Sequence, residues 1–166
     1  YWAVRSAMSH VQVSPDGKHI VFMRIQGKDA DPTIEIHQTD ALGQDPIRLN
    51  ATKMEFDGVE WVGDDYLLVT ARQQVRRHIE DVNQGTYEAR AVAYNIKERE
   101  WIQLANNEFG AFGVASLVDD DPDSIIIQTF DTPVDGLANS SFFRADYYEY
   151  NLSTGRRKTV LRGNEK

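Results

Sequence analysis

Cysteine is absent from the 166 residues, so the chain can form neither a disulfide framework nor a thiolate metal site. Long apolar runs are also absent. The longest, such as Tyr66–Val69 and Ile125–Ile127, fall far short of the about 20 residues that a membrane-spanning helix requires. Positive charge is scarce, with 18 Lys+Arg against 26 Asp+Glu and a formal net charge of -8. Such a chain repels phosphate backbones and anionic lipid at long range, so we expect neither nucleic acid nor a membrane as a partner.

Motifs of catalysis and nucleotide binding are missing as well. No two glycines stand four residues apart, as the G-x-S-x-G nucleophile elbow of serine hydrolases requires. The Gly-Lys pairs at Gly17-Lys18 and Gly27-Lys28 lack the glycine five residues earlier that a phosphate-binding loop needs. We therefore predict that this chain has no catalytic residues and no cofactor.

Metal-binding patterns fail at specific positions. The acidic run Asp119–Asp123 would begin an EF-hand loop only with glycine at the sixth position and glutamate at the twelfth, which are Ser124 and Phe130. The histidines show no H-x-x-x-H spacing. We interpret the acidic run as a turn and predict no metal site. The four histidines are His10, His19, His37 and His78.

Three copies of one pattern fill the chain. Each copy has four short segments rich in the β-branched and aromatic residues that favour strands, separated by turn residues. The copies end on Leu49, Leu104 and Leu161, which are 55 and 57 residues apart. Known propeller blades span about 40–50 residues, so two copies contain insertions, at Arg72–Glu88 and Phe130–Asp146. The predicted strands are Val11–Ser14, Ile20–Met23, Thr33–Ile36 and Pro46–Leu49, then Gly58–Trp61, Leu67–Thr70, Ala91–Tyr94 and Trp101–Leu104, then Gly113–Leu117, Ile125–Gln128, Tyr147–Tyr150 and Lys158–Leu161.

One insertion admits two interpretations. Val75 and Ile79 have the i, i+4 spacing of a helix over Arg72–Glu80. Alternatively, the segment extends a β-hairpin that turns at Asn83–Gly85. We favour the hairpin because both flanking segments are predicted strands.

Two motifs carry a family resemblance. Ser14–Lys18, with the sequence Ser-Pro-Asp-Gly-Lys before an apolar strand, resembles the recurrent turn of TolB-type propellers. Together with Gly58–Asp65 followed by Leu67–Val69, it resembles the amino-terminal propeller of a bacterial prolyl oligopeptidase family serine peptidase. The likeness spans Met8 to Leu161. It implies an all-β fold: a β-propeller fragment of three four-stranded antiparallel blades, at residues 8–50, 56–105 and 111–162 of a single segment, 1–166.

The resemblance also implies a function. In that family the propeller precedes an α/β-hydrolase domain and admits peptides while excluding folded proteins. The implied partners are therefore a carboxy-terminal α/β-hydrolase domain of a longer parent chain and a peptide substrate. The resemblance favours a periplasmic or secreted location. The alternative is a TolB-like or WD-repeat-like propeller that binds proteins without peptidase activity.

Candidate binding residues lie in the insertion at Arg72–Glu88. Arg72, Arg76 and Arg77 precede Glu80 and Asp81, and these charges could pair with one another on the hairpin surface. They could instead hold a peptide, because arginine binds a carboxylate through two hydrogen bonds and glutamate accepts from an amino end. Connections between second and third strands leave each blade at the same end, and insertions on one face often mark a binding face. We therefore assign substrate or partner binding to Arg72, Arg76, Arg77 and Glu80.

The number of blades predicts incomplete closure. Propellers use four to eight blades, so three leave the outer faces of the first and last sheets without neighbours. We expect those faces to be apolar, and exposed apolar patches associate. Self-association through the unpaired blade faces, or a marginally stable monomer, is the expectation.

Overall fold

The computed structural model describes residues 7–27, 30–51, 54–76, 86–104, 111–118, 120–130 and 145–163; for 74–76, 86–90, 111–113 and 130 it describes the backbone alone. These ranges form three antiparallel four-stranded sheets and contain no helix. The predicted fold class is therefore confirmed. No helix that could cross a membrane occurs in the described segments.

Sheet one comprises β1 (Met8–Val13), β2 (His19–Arg24), β3 (Thr33–Gln38) and β4 (Ile47–Leu49). Sheet two comprises β5 (Met54–Val62), β6 (Tyr66–Arg76), β7 (Thr86–Asn95) and β8 (Glu100–Gln103). Sheet three comprises β9 (Ala111–Leu117), β10 (Ser124–Phe130), β11 (Ala145–Asn151) and β12 (Arg157–Leu161).

Each sheet follows chain order, with every strand paired to the next by antiparallel hydrogen bonds. The first strands, β1, β5 and β9, therefore form one edge of their sheets. The predicted Ser-Pro-Asp-Gly-Lys turn joins β1 to β2, and its Gly17 N–H donates to Ser14 O at 2.8 Å. Gly17 has a φ of 73°, a conformation that glycine adopts without steric cost.

The core lies between the sheets. Alternate residues of a strand point to opposite faces, and sheet two is covered on both. Leu67 and Val69 of β6 pack in the cluster shared with sheet one, whereas Tyr66 and Leu68 pack in the cluster shared with sheet three. This double burial explains why β6 begins with an uninterrupted apolar run rather than an alternating one.

Side chains also connect neighbouring sheets. Gln12 of β1 donates from Nε2 to Val59 O at 3.1 Å, and its Oε1 accepts from Trp61 N at 3.4 Å. The Tyr150 hydroxyl donates to Gln103 O at 3.2 Å. Both junctions thus combine an apolar cluster with polar side chains that bind the neighbouring backbone.

A repeated hydrogen bond connects the two turns at one end of each sheet. An amide of the second turn donates to a carbonyl of the first at 2.8–2.9 Å in all three sheets. The sequence repeat is therefore a repeat of backbone contacts as well as of apolar segments. The pairs are Thr39 N with Lys18 O, Ile96 N with Asp65 O, and Leu152 N with Asp123 O.

The outer faces depart from the prediction that they are apolar. On sheet three the prediction holds in part, because Val160 and Leu161 are 52% and 58% exposed. On sheet one it also holds only in part, because Phe22 lies there together with Glu35, which has Arg24 and Arg48 beside its carboxylate. Hydrophobic patterning did not detect this, since Glu35 stands between two core isoleucines on the opposite side of β3.

Candidate functional site

The hairpin formed by β6 and β7 projects beyond the rest of sheet two. β5 pairs with β6 no further than Gln73, and β8 pairs with β7 only from Val92 onward. Beyond these points, and among the residues that the structure describes, β6 and β7 pair only with each other, out to Arg76 and Thr86. The hairpin interpretation of this insertion is therefore confirmed over 72–76, and its predicted turn at 83–85 lies outside the described residues.

The other two sheets lack such an extension within the described residues. In sheet one, Arg24 of β2 pairs with both Met8 and Thr33, so the three strands end level. In sheet three, Phe130 of β10 pairs with both neighbours in the same way. The three connections between second and third strands leave at this end, which we call the rim. Residues 131–144 of the third connection lie outside the described residues.

Arg72 is fixed at the base of the projecting hairpin by two carboxylates of β5. Its Nη2 lies 3.1 Å from Glu55 Oε2, and its Nε lies 2.9 Å from Asp57 Oδ1. Glu55 is directly opposite Arg72 in the strand register. These partners were not expected from the sequence, which suggested Glu80 and Asp81. Predicting Glu55 and Asp57 as partners of Arg72 would have required the register in which β5 pairs with β6.

The remaining candidate residues lie further along the same hairpin. The backbone of Arg76 belongs to β6, while its side chain, together with Arg77 and Glu80, lies outside the described part of the chain. Whether Arg76, Arg77 and Glu80 pair with other charges of the hairpin or bind a peptide therefore stays a prediction.

A cavity of about 410 Å³ opens along the first strands of the three sheets. Its polar lining includes His10 of β1, Asp57 and Glu60 of β5, Thr70 of β6 and Ser116 of β9. Because Asp57 also binds Arg72, the cavity is continuous with the base of the projecting hairpin. The two carboxylates make it acidic, so it suits a cationic or amine-bearing group better than an anion.

Bulges shape the strands that line this cavity. The register of β5 against β6 shifts between Phe56 and Gly58, which leaves Asp57 as an additional residue. A Cβ placed at Gly58 would lie 2.9 Å from Thr70 Oγ1, so glycine permits this close approach. The first strands of sheets one and three contain register shifts too. A glycine within a predicted strand, preceded by a polar residue, is the sequence signal for such a bulge.

The described residues that line the cavity do not form a nucleophilic catalytic arrangement. His10 Nδ1 lies 3.2 Å from Ser9 Oγ, but the two residues are adjacent in sequence and the pair is exposed. A triad also requires a carboxylate that orients the imidazole, and within the described residues His10 has no such partner. Nor do three or more His, Asp or Glu side chains of the described residues form a group that could hold a metal ion.

The end opposite the rim carries ion pairs in its turns. Asp16 Oδ1 accepts from the Lys18 amide at 3.0 Å and from Ser14 Oγ at 2.7 Å. These hydrogen bonds, the backbone one foremost, hold the pKa of Asp16 well below its ordinary value. In sheet two Lys97 Nζ lies 2.6 Å from Asp65 Oδ2, and this bond raises the pKa of Lys97. The contacts join residues of turns and indicate a structural role.

One titratable group in the middle of β11 is also perturbed. Burial, followed by the nearby Asp146 carboxylate, raises the pKa of Tyr148. Its hydroxyl donates to Asp146 Oδ2 at 3.2 Å, and the Arg157 guanidinium stacks 4.6 Å from the ring centre. Tyr148 therefore remains a neutral hydrogen-bond donor near neutral pH.

Comparison with models of known families and with curated proteins finds no match. Solved structures do resemble the fold. The acylaminoacyl peptidase of Pyrococcus horikoshii has a TM-score of 0.62 and 20% identity, over 95% of this chain and 25% of that one. The β-propeller domain of the Trilobed protease from Pyrococcus furiosus has a TM-score of 0.59 and 16% identity, over 95% of this chain and 44% of that one. The chain has a β-propeller fold.

A prolyl endopeptidase structure resembles the same propeller segment, with a TM-score of 0.53 and 18% identity over 96% of this chain and 22% of that one. These neighbours are peptidases and a peptidase propeller, in agreement with the family resemblance of the sequence. The chain spans 22–44% of the lengths of these three neighbours. At such identities the likeness establishes the fold, and the three sheets are blades of it.

Proposed function

We propose that this chain is a non-catalytic propeller segment of a prolyl oligopeptidase family serine peptidase, and that it positions or gates peptides for an α/β-hydrolase domain outside these residues. In this proposal residues 8–50, 56–105 and 111–162 are the three blades. The likeness of the fold to acylaminoacyl peptidase and to the Trilobed protease propeller supports the assignment to a peptidase.

The observation that carries the gating role is the projecting β6–β7 hairpin. It extends beyond the strands on either side of it, so it can contact a molecule that approaches the rim without disturbing the sheets. Its base is fixed to β5 through Arg72, Glu55 and Asp57. A hairpin that is fixed by ion pairs and extends beyond the neighbouring strands is suited to contact a substrate or a neighbouring domain.

The charged residues have distinct proposed roles. Arg76 and Arg77 would bind the carboxylate end of a peptide and Glu80 its amino end, because these groups form charge-assisted hydrogen bonds of matching geometry. Arg72 would fix the base of the hairpin beside the acidic cavity lined by Asp57 and Glu60, because its guanidinium is paired with Glu55 and Asp57.

The test is to shorten the hairpin in the longer protein that contains this segment. Replacing residues 74–87 with an Asn-Gly turn, which would join the paired residues Gln73 and Glu88, should change the ratio of kcat/KM between short and long peptides by about tenfold. This is equivalent to about 1.4 kcal/mol of differential transition-state binding. Circular dichroism and thermal unfolding should show that the blades remain folded, because in the described segments the residues of β6 beyond Gln73 pair with β7 alone.

The control removes residues at the opposite end of the blades. Shortening the turn at Asp16–Gly17, or the turn at Asp64–Asp65, should lower stability and leave peptide selectivity unchanged. If the turn variants altered selectivity and the hairpin variant did not, peptide binding would lie at the end opposite the rim, and the proposal would be wrong. A longer protein that lacks peptidase activity would favour the alternative, a propeller that only binds proteins.

A further inference from the structure

One polar position of the first strand repeats in all three blades. The hydrogen bonds between turns fix the alignment of the blades, because their acceptor carbonyls belong to equivalent residues. Three residues after each acceptor, the second strand carries a residue whose partner in register lies on the first strand. These partners are Gln12 opposite Val21, Glu60 opposite Leu68, and Ser116 opposite Ile126.

In the junction between blades one and two, this position bridges the two blades. Gln12 donates to Val59 O and accepts from Trp61 N, so its carboxamide satisfies one acceptor and one donor on the edge of β5. Val21, its partner in register, packs in the apolar cluster that blade one shares with blade two. The bridge needs both ends of the carboxamide, because a backbone carbonyl binds only a donor.

In the junction between blades two and three, the equivalent side chain has no partner. Glu60 is exposed, and within the described ranges it forms no hydrogen bond or ion pair. Leu68 packs in the cluster shared with blade three, so Glu60, directly opposite it, lies on the face of sheet two that points to blade three. An ionised carboxylate donates no hydrogen bond, so Glu60 cannot repeat the donation that Gln12 makes. The cavity of about 410 Å³ opens at this point.

The cavity combines an apolar wall with polar groups. Leu68, Val114 and Leu117 contribute to its lining, and Thr70 and Ser116 add hydroxyl groups. Its volume lies in the range of about 300–1,000 Å³ that is usual for ligand pockets. A ligand with an apolar stem and a polar head therefore matches this lining better than one that is polar throughout.

The charge around the cavity is negative. Arg72 is paired with both Glu55 and Asp57, so one guanidinium faces two carboxylates, and Glu60 adds a carboxylate that has no cation beside it. With His10 counted as neutral, these four charges sum to -2. The described residues group no three side chains that could hold a metal ion, so an organic cation fits better. An alkylammonium group has three donors on a compact head and an apolar stem.

We propose that this cavity binds an alkylammonium group of a peptide, with Glu60 accepting hydrogen bonds from the ammonium and Leu68 and Val114 packing along the alkyl chain. Two sources carry this group, a lysine side chain and a free amino terminus. The inference rests on the proposed function for the peptide as ligand. It adds a chemical requirement that the projecting hairpin does not impose.

Titration calorimetry with the longer protein that contains this segment tests the proposal, after a serine-directed inactivator has blocked any turnover. Two alanine-based peptides serve as probes, one with blocked ends and a single lysine, the other with a free amino terminus and no lysine. At least one should bind, and the tighter of the two identifies the source of the amine. Acetylating that amine should raise Kd by about tenfold, because it removes the charge and two of the three donors.

A single substitution separates the cavity from other binding sites for the same peptide. Glu60→Gln keeps the size of the side chain but removes its charge, so it should raise the Kd of the amine peptide by about tenfold. Thermal unfolding should show no loss of stability, since Glu60 has no partner to lose. Glu98→Gln makes the same change on an exposed turn at the end opposite the rim and should leave Kd unchanged. Binding to the wild type should weaken as ionic strength rises.

Three results would overturn the proposal: no binding of either amine peptide, equal binding of the acetylated forms, or wild-type affinity in Glu60→Gln. Its failure is distinguishable from that of the proposed function. A protein that binds the amine through Glu60 but has no peptidase activity would contradict the proposed function alone. A peptidase whose selectivity depends on the hairpin, and whose peptide binding ignores Glu60, would contradict the cavity assignment alone.

Discussion

At the scale of single residues, the turns opposite the rim hold their shape through side chains that accept hydrogen bonds from nearby donors. Asp16 accepts from Ser14 and from the Lys18 amide, and the Lys18 ammonium lies 3.0 Å from its carboxylate. Asn151 accepts from the Thr154 amide at 2.9 Å in the last turn of blade three. In both turns a short polar side chain replaces a backbone partner.

The ionisation of Asp16 should therefore contribute to stability. Its pKa is lowered in the folded chain, so the contribution is present above the unfolded value of about 4 and is lost as pH falls through the folded value. Asp16→Ala should lower the free energy of unfolding near neutral pH, and the difference from wild type should shrink in strong acid. Urea unfolding across this pH range measures it. The matched control is Asp40→Ala, an exposed carboxylate of the next turn, and an equal pH-dependent effect there would contradict the assignment.

The candidate site shows the limit of reading residues from the sequence. Arg72 was identified as a charged residue of an insertion, but its partners Glu55 and Asp57 depend on the register of β5 against β6. That register includes a bulge, which moves Asp57 out of simple alternation. Glu35 was missed for a related reason, because a lone charge in an apolar strand does not reveal which face it occupies.

At the scale of elements, the centres of the strands could be predicted and their ends could not. β6 was expected over Leu67–Thr70 and extends from Tyr66 to Arg76. β5 was expected from Gly58 and begins at Met54. Apolar residues mark the buried centre of a strand. Its ends depend on how far a neighbouring strand continues to pair, which a single segment of sequence does not encode.

The last strands of the three blades offer a graded test of burial. Leu49 and Leu104 are 6% and 3% exposed, whereas Leu161, which ends the third copy of the repeat, is 58% exposed. Replacing either buried leucine with alanine should cost about 2–5 kcal/mol of unfolding free energy, because it removes apolar contacts and leaves a cavity. Leu161→Ala should cost about 0.5 kcal/mol or less in dilute, monomeric solution.

Denaturant unfolding of the three leucine variants checks this order. The same chemical change is made at the same position of the repeat, so side-chain size cannot account for a difference. A cost at Leu161 equal to that at Leu104 would mean that another surface already covers blade three in the monomer.

At the scale of the whole molecule, the blades approach one another closely through their turns as well as their faces. Gly63 in the first turn of blade two has a φ of 57°, and a Cβ there would lie 2.9 Å from the backbone oxygen of Pro122 in blade three. Gly17 in the corresponding turn of blade one has a φ of 73° but no atom within 4 Å of such a Cβ. The two glycines share the backbone requirement and differ in contact with the next blade.

This difference predicts unequal costs of substitution. Gly17→Ala should lower the free energy of unfolding by about 1–2 kcal/mol, the cost of a left-handed conformation for alanine. Gly63→Ala should cost about 1–3 kcal/mol more, because the methyl group must also displace the backbone at Pro122. Chemical denaturation measures both. Equal losses would indicate that blades two and three are not held together at this turn.

Hydrogen bonding between backbone groups is confined within blades in the described residues. The pairs that connect the two turns, such as Thr39 with Lys18, belong to a single blade. Blades contact one another through apolar clusters and side chains such as Gln12 and Tyr150. A gene encoding such a chain could therefore gain or lose one repeat by in-frame duplication or deletion without breaking the backbone ladder of any other blade. Selection would then have to adjust only the side chains at the new junction, so a change in blade number lies within reach of a few substitutions.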